Sequence, residues 1–178
     1  MTDGELLENF SDLSRFQKIL LITDGTVTKL LEHYLSEPIV VHKLNEEIQR
    51  NISTFPDYYH LSIHQPVDIL QREICLQGKN TGENWTYAKS TIFIDHLSAD
   101  FRQDLLESNQ PIGKLWIKYR LETYKRILLI KKEKAGQLAP YFNIATDEQI
   151  ISRTYSVYSN RKIIMIITEK FPCSFFQD

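Results

Sequence analysis

The C-terminal stretch narrows the choice of fold more than any other part of the chain. Residues 150–158 (IISRTYSVY) and 162–171 (KIIMIITEKF) are rich in β-branched and aromatic residues, with Ser159-Asn160-Arg161 between them. Side chains alternate between faces along a strand, so Ile163, Met165 and Ile167 form one apolar row. That row ends in Glu169. In the preceding segment Ile151, Tyr155 and Val157 form a row that holds Arg153. A second hairpin is predicted from VDILQREICLQG (67–78) and NWTYAKSTIFI (84–94), joined by the turn-forming GKNTGEN. Its row of Leu70, Ile74 and Leu76 takes in Arg72. Trp85, Tyr87 and Phe93 share a strand face and are read as sheet packing.

Helical spacing predicts two short helices over FQKILLIT (16–23) and DGTVTKLLEHYL (24–35), broken at Asp24-Gly25, with Asp24 capping the second. Pro38 stops that helix, and IVVHKLNEEI (39–48) follows as a strand with a charged second half. SADFRQDLLES (98–108) reads as a capped amphipathic helix that closes before NQPIGKLW (109–116). ETYKRILLIKKE (122–133) is a further strand, followed by a loop around Gly136 and Pro140. Antiparallel strands interleaved with short helices indicate an α+β domain built on one sheet. With 178 residues and no repeat or linker, one domain is expected, residues 1–14 lying at its periphery.

Composition removes several function classes. A net charge of −2 and a pI near 6.2 leave no electrostatic footprint for nucleic acid. The basic run IKKEK (130–134) is read as a solvated strand end. No apolar run reaches the roughly 18 residues that a membrane helix needs. Cys75 and Cys173 are too few for a disulfide framework and lack metal-ligand spacing, so both are expected reduced. NIS (51–53) and NWT (84–86) match the glycosylation sequon, but no secretory signal precedes them. The acidic MTDGELLENF differs from an Arg-rich transit peptide, so a protein of this kind working in an organelle is expected to be made there. His60 and His64 have helical i, i+4 spacing but no evident third ligand, and no metal is expected. No glycine cluster cradles a phosphate and no serine sits in a nucleophile elbow.

Arg72 and Glu169 therefore stand out, because a buried charge without a partner is too costly to keep. Two readings stay open. Either they form a structural ion pair, or Glu169 lies at an exposed strand end; or the sheet floors a cavity whose polar groups are an arginine and a carboxylate. Such a cavity suits a small anion, since a guanidinium grips a carboxylate through two N–H groups. Arg153 raises the same question and is read as a second structural pair.

Six stretches, taken in order, carry a resemblance: LLITDGTVTKLLE (20–32), QREICLQG (71–78), NWTYAKSTI (84–92), PIGKLW (111–116), SRTYSV (152–157) and IITEKFP (166–172). They resemble the chorismate lyases, most closely the cyanobacterial and plastid-encoded branch, over about residues 15–172. The resemblance implies an antiparallel β-sheet with helix-turn-helix flaps covering a buried ligand site. It also implies cleavage of chorismate to 4-hydroxybenzoate and pyruvate, with no cofactor. It places the binding arginine at Arg72 and the carboxylate of the TE pair at Glu169. Val27 in TVTK and Ile112 in PIG become the flap positions whose backbone N–H groups meet the ligand. Bacterial members often carry methionine and leucine there, a departure that backbone contacts tolerate. The loop between Lys134 and Ile150 is longer than in those members.

By the same resemblance Glu169 bonds the ring 4-hydroxyl. It then either accepts the ring proton lost on aromatisation or only orients a direct hydrogen transfer to the departing methylene. The implied partner is a small-molecule substrate, chorismate, with neither nucleic acid nor a membrane span. The implied place is prenylquinone synthesis, in the plastid stroma for a plastid-encoded chain and otherwise in the cytoplasm. The rival reading is a non-catalytic aromatic-acid sensor, since effector modules of some transcription regulators resemble this fold. The oligomeric state stays open.

Overall fold

The computed structural model describes residues 10–59, 61, 64–108 and 110–177. Among them, six strands form one antiparallel sheet: β1 (Ile39–Ile52), β2 (Val67–Gly78), β3 (Asn84–Phe93), β4 (Tyr124–Lys134), β5 (Gln149–Ser159) and β6 (Lys162–Pro172). Their order is β1-β2-β3-β6-β5-β4. Two three-stranded meanders thus meet along a seam, β3 against β6, where Ala88 pairs with Glu169 and Ile92 with Met165. The α+β class and the hairpins follow the sequence pattern.

Turn chemistry sets the hairpins. Asn160 and Arg161 link β5 to β6 with φ of 49° and 64°, the two positive values that a tight two-residue hairpin turn requires. At the β2–β3 turn the buried Glu37 accepts bonds from the N–H groups of Asn80 and Thr81, at 2.8 and 3.2 Å. A Cβ on Gly78 would lie 2.3 Å from the same carboxylate, so only glycine fits there.

The helices are α1 (Arg15–Ile22), α2 (Val27–Leu35), α3 (Ala99–Glu107), α4 (Ile112–Lys118) and the short α5 (Ala139–Phe142). Ser14 and Gln17 close a capping box on α1. Asp24 does not cap α2. Thr26 holds that place and makes no side-chain cap bond, so the first N–H groups of α2 have no local acceptor. NQPIGKLW, before which the predicted helix closes, contains α4. Pro111 stands at its N-cap, where its missing N–H costs nothing, and Ile112, Leu115 and Trp116 fall at i, i+3 and i+4 and are buried. Pro140 likewise starts α5 within the predicted loop.

Helices α1–α4 cover one face of the sheet in two groups, while Phe142 of α5 packs with Cys75 and Tyr87 on the other face. Phe101, Leu105, Leu115 and Trp116 from α3 and α4 pack on Leu70, Ile92, Met165 and Val157. Leu20, Leu21, Val27 and Leu31 from α1 and α2 pack on Ile74, Leu76, Ile151 and Phe171. Each fully buried side chain of this size contributes roughly 1.5–3 kcal/mol, which is what anchors helices too short to be stable alone. Ahead of α1, Leu13 is buried, and the Ser14 hydroxyl donates to the Phe176 carbonyl at 2.6 Å. Cys75 and Cys173 are free, and burial pushes the Cys75 thiol up to about 12. Among the described residues no helix is long and apolar enough to cross a membrane.

Candidate functional site

Strand pairing aligns the unusual side chains. Arg72, Ser90, Ile167 and Tyr155 lie in one row across the sheet. Ile74, Ala88, Glu169 and Arg153 lie in the next. On the other side of Arg72, the row of Leu70, Ile92, Met165 and Val157 ends at Lys125 on β4. Cross-strand partners share a face, and this is the face that α1–α4 cover.

Between the two helix groups is a small cavity. Its floor is Ile74, Ala88, Ser90, Tyr155, Ile167 and Glu169, with Lys125 at one side. Its roof is the start of α2, Thr26–Thr28, and the start of α4, Pro111–Gly113 with Trp116. Val27 and Ile112 are the first residues of these helices, so their N–H groups lack intrahelical acceptors. The roof is tight: a Cβ on Gly113 would lie 2.8 Å from Thr26 Cγ2. The cavity admits the centre of a water-sized sphere over about 40 Å³, room for a few water molecules. A larger ligand does not fit without displacing part of this lining.

Glu169 is 7% exposed and Arg153 1%. One Glu169 oxygen accepts from Arg153 Nε at 2.8 Å and the other from the Tyr155 hydroxyl at 3.1 Å. Arg153 also donates to the Thr23 carbonyl at 2.9 Å, where α1 ends. Burial works against the Arg153 charge, yet Glu169 and Tyr155 beside it hold its pKa above the usual value. Burial, reinforced by the Glu169 charge, pushes the Tyr155 hydroxyl well up. Tyr155 therefore acts as a donor and not as a phenolate.

Arg72, also 1% exposed, has the opposite surroundings. Its Nε is 3.3 Å from a Glu46 carboxylate oxygen, but none of its three guanidinium nitrogens makes a hydrogen bond among the described residues. Burial lowers its pKa, and Glu46 offsets this only in part. The structural ion pair between Arg72 and Glu169 is therefore not formed: each has a different partner. Arg153, read from sequence as a separate structural pair, is the residue that holds Glu169. Arg72 shares the face of the cavity without lining it, although Ser90 beside it and Ile74 two along both do.

Sequence reasoning passed over Lys125. Its Nζ donates to the Gly25 carbonyl at 2.7 Å and lies 5.1 and 5.3 Å from the ring centres of Trp116 and Tyr155. Burial pushes its ammonium down to about 8, against the pull of Glu169. The signal that marked Arg72, a charge continuing an apolar row, was present here in Lys125 and Ile127. A bulge between Ile127 and Leu129 breaks its phase.

Other candidates fall away from the cavity. His64 is exposed and His60 lies outside the described residues, among which no group of three or more His, Cys, Asp or Glu is placed to hold a metal. Trp85 packs on Phe175 and Phe176, and Phe93 on Phe55 and His96, so the aromatics form no stacking platform. A wider groove at the β4 edge, by Tyr124, Arg126, Tyr158 and Arg161, holds no buried charge.

Residues 21–177 match the family of Rv2949c-like chorismate pyruvate-lyases. A chorismate pyruvate-lyase of Mycobacterium leprae is 31% identical over 172 residues, covering 96% of this chain and 80% of that protein. One from Mycobacterium tuberculosis is 28% identical over 167 residues, covering 93% and 84%. In fold, the chain is similar to the effector domain of PhnF from Mycobacterium smegmatis, with a TM-score of 0.64 at 8% identity over 87% of this chain and 93% of that one. It is also similar to a GntR-family transcriptional regulator from Enterococcus faecalis, with a TM-score of 0.55 at 15% identity over 78% and 96%. At such identities the likeness to the regulators is one of fold alone.

Proposed function

The chain belongs to the Rv2949c-like chorismate pyruvate-lyase family, and from that premise we propose that it cleaves chorismate to 4-hydroxybenzoate and pyruvate beneath α2 and α4. The observation that carries this reading is the Arg72 guanidinium, buried without a hydrogen-bond partner on the face that also presents Glu169. A buried cation in that state costs several kcal/mol, which an incoming carboxylate offsets.

Arg72 takes the ring carboxylate, helped by the N–H groups of Val27 and Ile112 as the flaps close. Glu169 meets the ring 4-hydroxyl. Arg153 and Tyr155 occupy one lone pair on each of its oxygens and fix its plane, while further lone pairs remain for the substrate. The C3–O ether bond breaks, the ring loses its C4 hydrogen and becomes aromatic, and the enolpyruvyl group leaves as pyruvate. Aromatisation supplies much of the driving force, so positioning is the main task of the protein and no cofactor is called for. The product serves as a prenylquinone precursor, a reading supported by the sequence resemblance.

Purified protein incubated with chorismate is expected to release pyruvate and 4-hydroxybenzoate in equal amounts. Glu169→Gln and Arg72→Ala, each with an unchanged circular dichroism spectrum, are expected to lose that release. Binding of 4-hydroxybenzoate without pyruvate formation would instead identify a sensor. Deuterium at C4 of the substrate separates the two hydrogen routes: it appears in the pyruvate methyl group if transfer is direct and in solvent if Glu169 carries it.

A further inference from the structure

We propose that Lys125 is the second carboxylate contact of the site, binding the enolpyruvyl carboxylate of the substrate and so distinguishing the dianion from the aromatic product. The identity of the ligand rests on the lyase reading; the placement of the cation does not.

Arg72 and Lys125 flank the strand of Glu169. In the sheet, β2 is two strands from β6 on one side and β4 is two strands from it on the other. At about 4.8 Å per strand, each cation's backbone is on the order of 10 Å from that of the carboxylate, and both side chains are long enough to reach inward. A ligand with a negative charge at each end, and its breaking bond between them, matches that spacing. Arg72 alone accounts for one end.

Lys125 is also free to act. An ammonium has three donors, and the Gly25 carbonyl takes one of them. No carboxylate among the described residues pairs with it within ion-pair distance. The rings of Trp116 and Tyr155 hold it at the cavity wall. The charged groups around it are Glu169 and Asp24, which favour its proton, and Arg153, which disfavours it; Tyr155 stays neutral beside it. When the ether bond breaks, the carboxylate leaves with the pyruvate, and 4-hydroxybenzoate keeps nothing for Lys125 to hold.

The test uses the full chain in a Glu169→Gln background, to stop turnover, with and without Lys125→Met. Calorimetry then measures chorismate and 4-hydroxybenzoate separately. Loss of the ammonium is expected to weaken chorismate roughly tenfold to a hundredfold, the range for a hydrogen bond to a charged group, and to leave 4-hydroxybenzoate within about threefold. Lys125→Arg is expected to restore most of the loss. In the otherwise native enzyme, KM for chorismate is expected to rise as pH passes about 8 and to stay level in Lys125→Arg.

Equal weakening of both ligands would overturn the inference and leave Lys125 as a tie to Gly25; so would no weakening of either. A native chain that binds chorismate through Lys125 but forms no pyruvate would sink the lyase reading alone. Failure of the native chain to bind chorismate would sink both.

Discussion

Arg72 and Arg153 sit on the same sheet face, equally buried, one row apart. Arg153 is held by the protein itself through two of its three nitrogens: Glu169 takes its Nε and the Thr23 carbonyl takes Nη1, while Nη2 has no hydrogen-bond partner among the described residues and the planar group lies 4.8 Å from the Tyr155 ring centre. Arg72 has only a poorly aligned carboxylate at 3.3 Å. Burial is the same and the energetic meaning is opposite. One guanidinium fixes a carboxylate in place; the other keeps unmet donors, at a cost to the empty protein, and in the function proposed above it meets a charge from outside. Burial of a charge therefore says little about its role until its hydrogen bonds are counted.

Several changes would break or sharpen this contrast. The largest effect belongs to Glu169→Gln, which removes the group that Arg153 exists to hold. Its kcat is expected to fall by about 10²–10⁴, the range for a positioned acid–base group. A drop of only a few fold under saturating chorismate would reduce Glu169 to an orienting role. Next come the arginines themselves, with opposite signs. Arg153→Met leaves Glu169 buried and unpaired and is expected to cost about 3–5 kcal/mol of stability in urea unfolding. Arg72→Met removes a burden from the empty protein, so its melting temperature is expected to hold or rise while affinity for 4-hydroxybenzoate collapses. Equal destabilisation by both would erase the distinction.

A smaller effect is expected from Gly113→Ala, whose new methyl group presses on Thr26 across the roof. The native enzyme, with its closed cavity, is expected to show a burst of product followed by slower release. The alanine variant is expected to lose the burst as its flaps stand apart. A native time course linear from the first turnover would count against slow release. The smallest effects belong to Val27→Met and Ile112→Leu, expected to change kcat/KM by no more than about threefold, because the backbone is unchanged and hydrophobic swaps of similar size are tolerated.

The pattern of alternation made the sheet, its hairpins and the two misplaced charges legible. It did not reveal who pairs with whom, and the reason is specific. From the tight turn at Asn160-Arg161, uninterrupted pairing would set Arg153 opposite Thr168. The register shift between Val157 and Tyr158 moves it opposite Glu169 instead. One extra residue in a strand thus decides whether Arg153 belongs to the site. The partner of Arg72 was equally hidden, since Glu46 lies in the charged half of β1 that reads as solvent-facing. Helix α4 was masked by its own proline and glycine, which mark loops in most sequences but here begin a helix and admit Thr26.

The seam between the meanders has a consequence for how the molecule assembles. Arg72 comes from the N-terminal meander, while Glu169, Arg153 and Lys125 come from the C-terminal one. Each meander can zip up through local hairpins, but joining β3 to β6 closes a long loop, and such contacts are slow to form. The two halves of the site are therefore expected to meet late in folding. An aromatic acid bound as proposed touches both halves, so it is expected to slow unfolding markedly and to leave the folding rate almost unchanged.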